Sequence, residues 1–179
     1  MSFLKLEVTA TILRAVAAAL FAVGCVIACR SMQQPVARLA PADRVVVHKA
    51  ERKLLLMHDG YVERTYSVHL GLNPVGQKER EGDSRTPEGT YHLTHNPRSD
   101  YYLSLKVSYP NEADLKRARA NRWEPGGLIM IHGQPNALKH EPGYYRTHDW
   151  TYGCIAVSNT DMVELWRLTR DGTTIDILP

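Results

Sequence analysis

Beyond residue 42 the chain is written largely in short runs of alternating and β-branched residues. Arg44-Val45-Val46-Val47-His48 and Lys53-Leu54-Leu55-Leu56-Met57 predict two strands. Asp59-Gly60 then supplies a hairpin turn signal. From Tyr61 to Leu70, Val62, Tyr66, Val68 and Leu70 largely alternate with Glu63, Arg64, Ser67 and His69, predicting a third strand and an opening β-meander. Residues 71 to 89 are rich in Gly, Pro and charge and predict a long loop, of the kind that often serves function. Strand patterns resume at Thr90–Thr94, Tyr102–Val107 and Gly127–Ile131, the last running straight into His132. Ile155-Ala156-Val157 predicts a short strand and Thr173–Leu178 a final one.

Helical spacing occurs twice. Residues 111 to 121 read as a short exposed helix with Asn111 as N-cap. Ser158-x-x-Asp161 is a capping pattern that opens a helix over Thr160–Arg170. Met162, Leu165 and Trp166 share its apolar face, and Gly172 reads as its C-cap. About seven to nine strands and two short helices make the class mainly β.

The 179 residues suit one domain, and 23% charged residues fit a globular chain. The net charge of +3 is small, and the basic residues are scattered, which argues against nucleic acid as a partner. The amino end differs. Ala15 to Ala28 is an apolar run preceded by Lys5 and Arg14. It is shorter than the roughly 20 residues of a membrane span and fits a secretory signal. It ends in Val26-Ile27-Ala28-Cys29, which resembles a bacterial lipobox and implies lipidation of Cys29, with Cys25 as the weaker alternative; an uncleaved anchor helix is the other reading. Residues 1–29 are thus expected to be a signal or anchor, 30–42 a tether and 43–179 the folded domain, membrane-tethered in the cell envelope.

Export changes the meaning of the cysteines. With Cys25 and Cys29 set aside, Cys154 has no partner for a disulfide. Gly153 and Cys154 stand just before one predicted strand, and His132 just after another. A thiol needs a base, since only the thiolate attacks, and an imidazole supplies one. Gly133 offers a carbonyl to orient that imidazole, and Gly153 leaves room for a substrate to approach. The amides of Tyr152, Gly153 and Cys154 can face an oxyanion. His148, near Cys154 in sequence, is a rival base. His132, His140 and His148 match no common zinc spacing.

Ile131-His132-Gly133 followed by Thr151-x-Gly153-Cys154-Ile155 resembles the L,D-transpeptidase (YkuD-type) catalytic domain. The resemblance extends through Tyr66-x-Val68-x-Leu70-Gly71, Pro74-x-Gly76-x-Lys78 and Gly82-Asp83-Ser84-Arg85-Thr86-Pro87-Glu88-Gly89. It implies a β-sandwich catalytic domain with no metal or cofactor. It implies Cys154 as nucleophile, His132 as base, the Gly133 carbonyl as orienting group and the Tyr152, Gly153 and Cys154 amides as oxyanion hole. The implied substrates are peptidoglycan peptide stems. The thiol opens the bond between diaminopimelate and D-alanine, and an amine takes the acyl group. The sequence departs from the family twice. Tyr152 stands where the family usually has His, and Ala156 where it often has Arg or Asn. Arg85, Arg146 or Asn159 are candidates to compensate in substrate binding. These departures keep open a hydrolytic role (L,D-carboxypeptidase or amidase) or a non-catalytic envelope-binding lipoprotein.

Overall fold

The computed structural model describes residues 40–179. The signal or anchor over 1–29, with Cys25 and Cys29, and the tether up to residue 39 lie outside the described residues. The alternation at the start of the domain builds its first hairpin. β1 (Arg44–His48) pairs antiparallel with β2 (Lys53–His58), setting Val45 opposite Leu56 and Val47 opposite Leu54. All four are buried, whereas the residues between them reach the outer face. Asp59 and Gly60 make the turn with positive φ at both positions, which is why Asp-Gly is favoured there.

β3 (Tyr61–Ser67) follows as the edge strand. Its register against β2 slips between Leu56 and Met57, so that Glu63 is an extra residue. The bulge reverses the alternation: Tyr66 is buried, but Val62 is 52% exposed, against the inward placement its spacing predicts. β4 (Gly89–His95), β5 (Ser104–Val107), β6 (Met130–His132), β7 (Ile155–Ala156) and β8 (Thr174–Leu178) complete the sheet. Its order is β3-β2-β1-β8-β4-β5-β6-β7. β8 lies parallel to β1 and antiparallel to β4. β4 divides its pairing, with Gly89–His92 on β8 and Leu93–His95 on β5. The two layers expected of a sandwich are therefore two parts of one curled sheet, joined along β4.

Two helices flank the sheet, as the sequence predicts. α1 (Glu112–Asn121) is capped by Asn111, with Asp114 returning the bond in a capping box. α2 (Asn159–Leu168) is capped by Ser158, whose hydroxyl accepts from the Asp161 amide at 3.1 Å. Met162 and Leu165 of α2 are fully buried beside Leu93, Leu105, Ile131, Ile155 and Ile175. Each such side chain contributes about 1.5–3 kcal/mol by leaving water. Trp166 is only partly buried and sets its ring edge-on to His95, 4.4 Å between centroids. The helix ends at Thr169 rather than Gly172. The Thr169 hydroxyl and amide both donate to the Leu165 carbonyl in an extended cap, and Gly172, at φ +88°, turns the chain into β8.

The long loop over 71–89 is held by two buried lysines. Lys49 Nζ donates to the Gly76 and Thr86 carbonyls at 2.7 and 2.9 Å and pairs with Glu88 at 2.8 Å. Lys78 pairs with Asp83 at 2.7 Å, while the other Asp83 oxygen accepts from the Glu79 amide at 2.8 Å. The Gly-Asp-x-x-Thr-Pro segment thus reads physically as a loop clasped by its own carboxylate. The Thr86 hydroxyl ties it to the Gly71 amide at 3.2 Å.

Candidate active site

The site forms where β6 and β7 run side by side. They pair in parallel, Ile131 beside Ile155 and His132 beside Ala156. Side chains alternate across a strand, so Cys154, one residue before Ile155, falls on the face that His132 takes. The two are diagonal neighbours across one ladder. β6 is shorter than the apolar run predicts. Gly126 and Leu128 both adopt positive φ, so the strand begins only at Met130, and His132 is its last residue rather than the one beyond it. Leu128 is left 77% exposed.

His132 is wholly buried. Its Nδ1 lies 2.7 Å from the Gly133 carbonyl, which can only accept, so Nδ1 carries the proton. Nε2 is left as a bare lone pair, buried and without a hydrogen-bond partner. Tyr101 stacks on the ring at 3.8 Å with 20° between planes, and Trp150 meets it edge-on at 5.5 Å. Burial lowers the imidazole to about 4, only partly offset by the Gly133 bond. Gly133 has to be glycine. A Cβ there would meet Asn159 Oδ1 at 2.5 Å and the Tyr102 carbonyl at 2.7 Å.

Cys154 is half-buried and free. Burial of the thiol pushes it up to about 11, and the Met130 amide and the Lys78 charge pull weakly the other way. Its Sγ donates to the Leu128 carbonyl at 3.5 Å. The turn before it is locked by Thr151, whose hydroxyl donates to the Cys154 carbonyl at 2.7 Å and accepts from the Gly153 amide at 3.1 Å. The Gly153 amide is therefore occupied within the turn. Those of Tyr152 and Cys154 make no bond among the described residues and remain for an oxyanion. Gly153 also serves differently from expectation. At φ +130° its missing Cβ makes room for the Arg85 carbonyl, which would lie 2.6 Å away, not for a substrate.

The remaining predicted residues divide. Tyr152 is 80% exposed and lines a cleft of about 480 Å³ with Tyr101, Trp150 and Thr151; His132 and Cys154 are not among the lining residues. Arg85 turns toward its own loop, donating to the Gln77 carbonyl at 3.2 Å and facing Glu79 at 3.4 Å. Asn159 accepts from the Gln134 amide at 2.8 Å and so braces the chain after His132. Arg146 lies exposed on a short 3-10 turn, Tyr144–Arg146, and does not line the cleft. His148 stacks on Tyr144 at 4.7 Å, on the exposed side of that turn.

Sequence reasoning missed Asp149. It chelates the Arg52 guanidinium, with contacts of 2.7 and 3.0 Å, and accepts from the Leu70 amide at 2.8 Å. This joins the turn before Cys154 to the β1–β2 hairpin. The polar residue preceding Trp150-Thr151 was the one signal for it. Among the described residues, the one group of His, Cys, Asp and Glu close enough to share an ion is Asp43, His58 and Asp59, at the β2–β3 turn.

A curled, mainly β domain with a buried imidazole at the end of one strand and a thiol just before its parallel neighbour describes a known class. The model of the YkuD family, the L,D-transpeptidase catalytic domain, matches residues 42–177, and the chain belongs to that family. It is 31% identical over 106 residues to YafK of Escherichia coli strain K12, provisionally named an L,D-transpeptidase; the match takes in 58% of this chain and 35% of YafK. In structure it resembles the helical cell shape determining protein Pgp2 of Campylobacter jejuni, at TM-score 0.55 and 26% identity over 75% of this chain and 46% of that one. An L,D-transpeptidase from Xylanimonas cellulosilytica shares the fold at TM-score 0.51 and 19% identity, over 84% of this chain and 67% of that one. The chain spans about a third of YafK and about half of Pgp2.

Proposed function

We infer that the domain is a cysteine acyltransferase acting on peptidoglycan peptide stems, with Cys154 as nucleophile and His132 as base. One observation carries this reading: the lone pair of His132 Nε2 is bare, buried and unpartnered on the sheet face that Cys154 shares, with Nδ1 fixed by the Gly133 carbonyl. Sγ gives its proton to Nε2 and bonds to the carbonyl carbon of the L-centre of diaminopimelate. The oxyanion faces the Tyr152 and Cys154 amides. As the amide bond breaks, Nε2 passes the proton to the departing D-alanine amine, leaving a thioester. An acceptor amine then attacks the thioester and gives its proton to Nε2, and the thiol is restored. The acceptor is a second stem or an envelope-protein lysine. Water in its place makes the enzyme an L,D-carboxypeptidase or amidase. In this reading the domain works in the cell envelope, outside the cytoplasm, tethered through lipid on Cys29 (or Cys25).

A second reading, a non-catalytic envelope-binding domain, is favoured by one contact: the thiol donates to Leu128 rather than to His132. Incubating the protein with disaccharide tetrapeptide and weighing the products separates the two. Acyl transfer predicts loss of D-alanine or formation of a dimer, absent in Cys154→Ala, and a carbapenem adduct on Cys154. Neither product nor adduct would sink the catalytic reading.

A further inference from the structure

The base of the proposed reaction has no carboxylate behind it. Its Nδ1 bonds to the Gly133 carbonyl, and besides burial that bond alone acts on its charge; among the described residues no charged side chain does. Yet the ring must carry a proton from the attack of the thiol until D-alanine leaves. A bare imidazolium in a dry site is costly. What lies against the ring instead is π density. Tyr101 covers one face at 3.8 Å with 20° between planes. Trp150 stands at 5.5 Å and 63°, too steep to stack. The Tyr101 stack is built into the backbone. The Ser99 hydroxyl accepts from the Tyr101 amide at 3.2 Å and donates to its carbonyl at 3.0 Å. Tyr101 bridges Pro135, the Tyr102 amide donates to the Gln134 carbonyl at 2.9 Å, and the Gly133 amide donates to the Tyr102 carbonyl at 3.0 Å. The segment bearing Tyr101 is thus stitched to the residues just after His132.

Stacking and charge act together here. A neutral imidazole gains dispersion from a parallel phenol. An imidazolium gains more, because the negative face of the ring attracts it, and more strongly where water is excluded. Attraction that grows as the proton arrives lowers the barrier instead of only tightening the resting state. Burial holds the Tyr101 phenol above its usual value, and the charges of Cys154, Asp100 and Tyr152 act the same way. The partner is therefore a neutral ring that acts through its face, not a phenolate. We propose that Tyr101 is a positioning residue: its face holds the His132 ring in plane and takes the place of a carboxylate in stabilising the imidazolium. The assignment rests on the acyl-transfer reading, in which His132 is the base. An apolar side chain that only shields the ring performs the first task and not the second.

The test uses the full chain with Tyr101→Phe, which keeps the π face, and Tyr101→Leu, which keeps apolar cover without it. Pentafluorophenylalanine at position 101 fills the space of phenylalanine with the ring quadrupole reversed, and it serves if Tyr101→Leu does not fold. Protonation of His132 is followed by NMR of its ring nitrogens as the pH is lowered, which needs no substrate. Wild type and Tyr101→Phe should protonate together. Tyr101→Leu and the fluorinated ring should need about tenfold more acid. In release of D-alanine from disaccharide tetrapeptide, both should lose about tenfold in kcat with KM unchanged, while Tyr101→Phe stays within about twofold of wild type. Equal protonation in all of them, or easier protonation in Tyr101→Leu, shows a shield only and overturns the assignment. So does a loss confined to KM, the sign of a residue that only holds substrate in the cleft it lines. If wild type releases no D-alanine, the acyl-transfer reading fails, while the titration still decides whether Tyr101 stabilises the imidazolium.

Discussion

Desolvation acts on His132 and Cys154 in one direction, against charge. It lowers the imidazole to about 4 and raises the thiol to about 11. At neutral pH the two groups are therefore a thiol and a neutral ring, not an ion pair. In the proposed reaction the proton moves only as the substrate arrives, and an Nε2 lone pair stays available to receive it down to acidic pH. The sign is testable. Thiolate is the reactive form, so alkylation of free Cys154 by iodoacetamide should rise about tenfold per pH unit from neutrality toward the thiol's raised value. A rate already level below pH 8 would mean a preformed thiolate and a different electrostatic balance. Tyr66 and Tyr91, buried beside Glu164 and Asp114, are likewise pushed up and remain phenols throughout that range.

At the scale of elements, what the sequence disclosed was local. The β1–β2 hairpin with its Asp-Gly turn, and the caps at Asn111 and Ser158, each depend on residues a few positions apart. His132, Gly133 and Cys154 could be named, and the β6–β7 register sets the His132 and Cys154 side chains on one face. The length of β6 was hidden, because an apolar run gives no sign that Leu128 will turn left-handed. So was the junction of Arg52 with Asp149, which lie 97 positions apart. The purpose of Gly153 was hidden for the same reason, since Arg85 reaches it from another loop. The Arg52–Asp149 junction carries its own prediction. Asp149→Asn keeps the shape but weakens the bonds to Arg52 and the Leu70 amide. It should cost about 1–2 kcal/mol in urea unfolding. It should also slow acylation of Cys154, because the Thr151–Cys154 turn loses its anchor. Full stability together with full acylation rate would show the junction to be incidental.

For the molecule as a whole, β8 holds the sheet together. It is the eighth strand in sequence but lies between β1 and β4, with hydrogen bonds to both. It also brings Ile175 and Ile177 into the core. Removing residues 174–179 forfeits about 3–6 kcal/mol of apolar burial from those two side chains. It also unpairs two strands, against a total stability of about 5–15 kcal/mol for an ordinary domain. The shortened chain should show no cooperative urea transition, and a transition that survives would mean that β1 and β4 find each other unaided. The position of β8 also bears on when the protein can fold. A growing chain holds the seven other described strands before it holds the one that joins them, so the sheet cannot close until β8 has been made. With the envelope location proposed above, that delay would suit export: the earlier strands stay threadable until β8 is made.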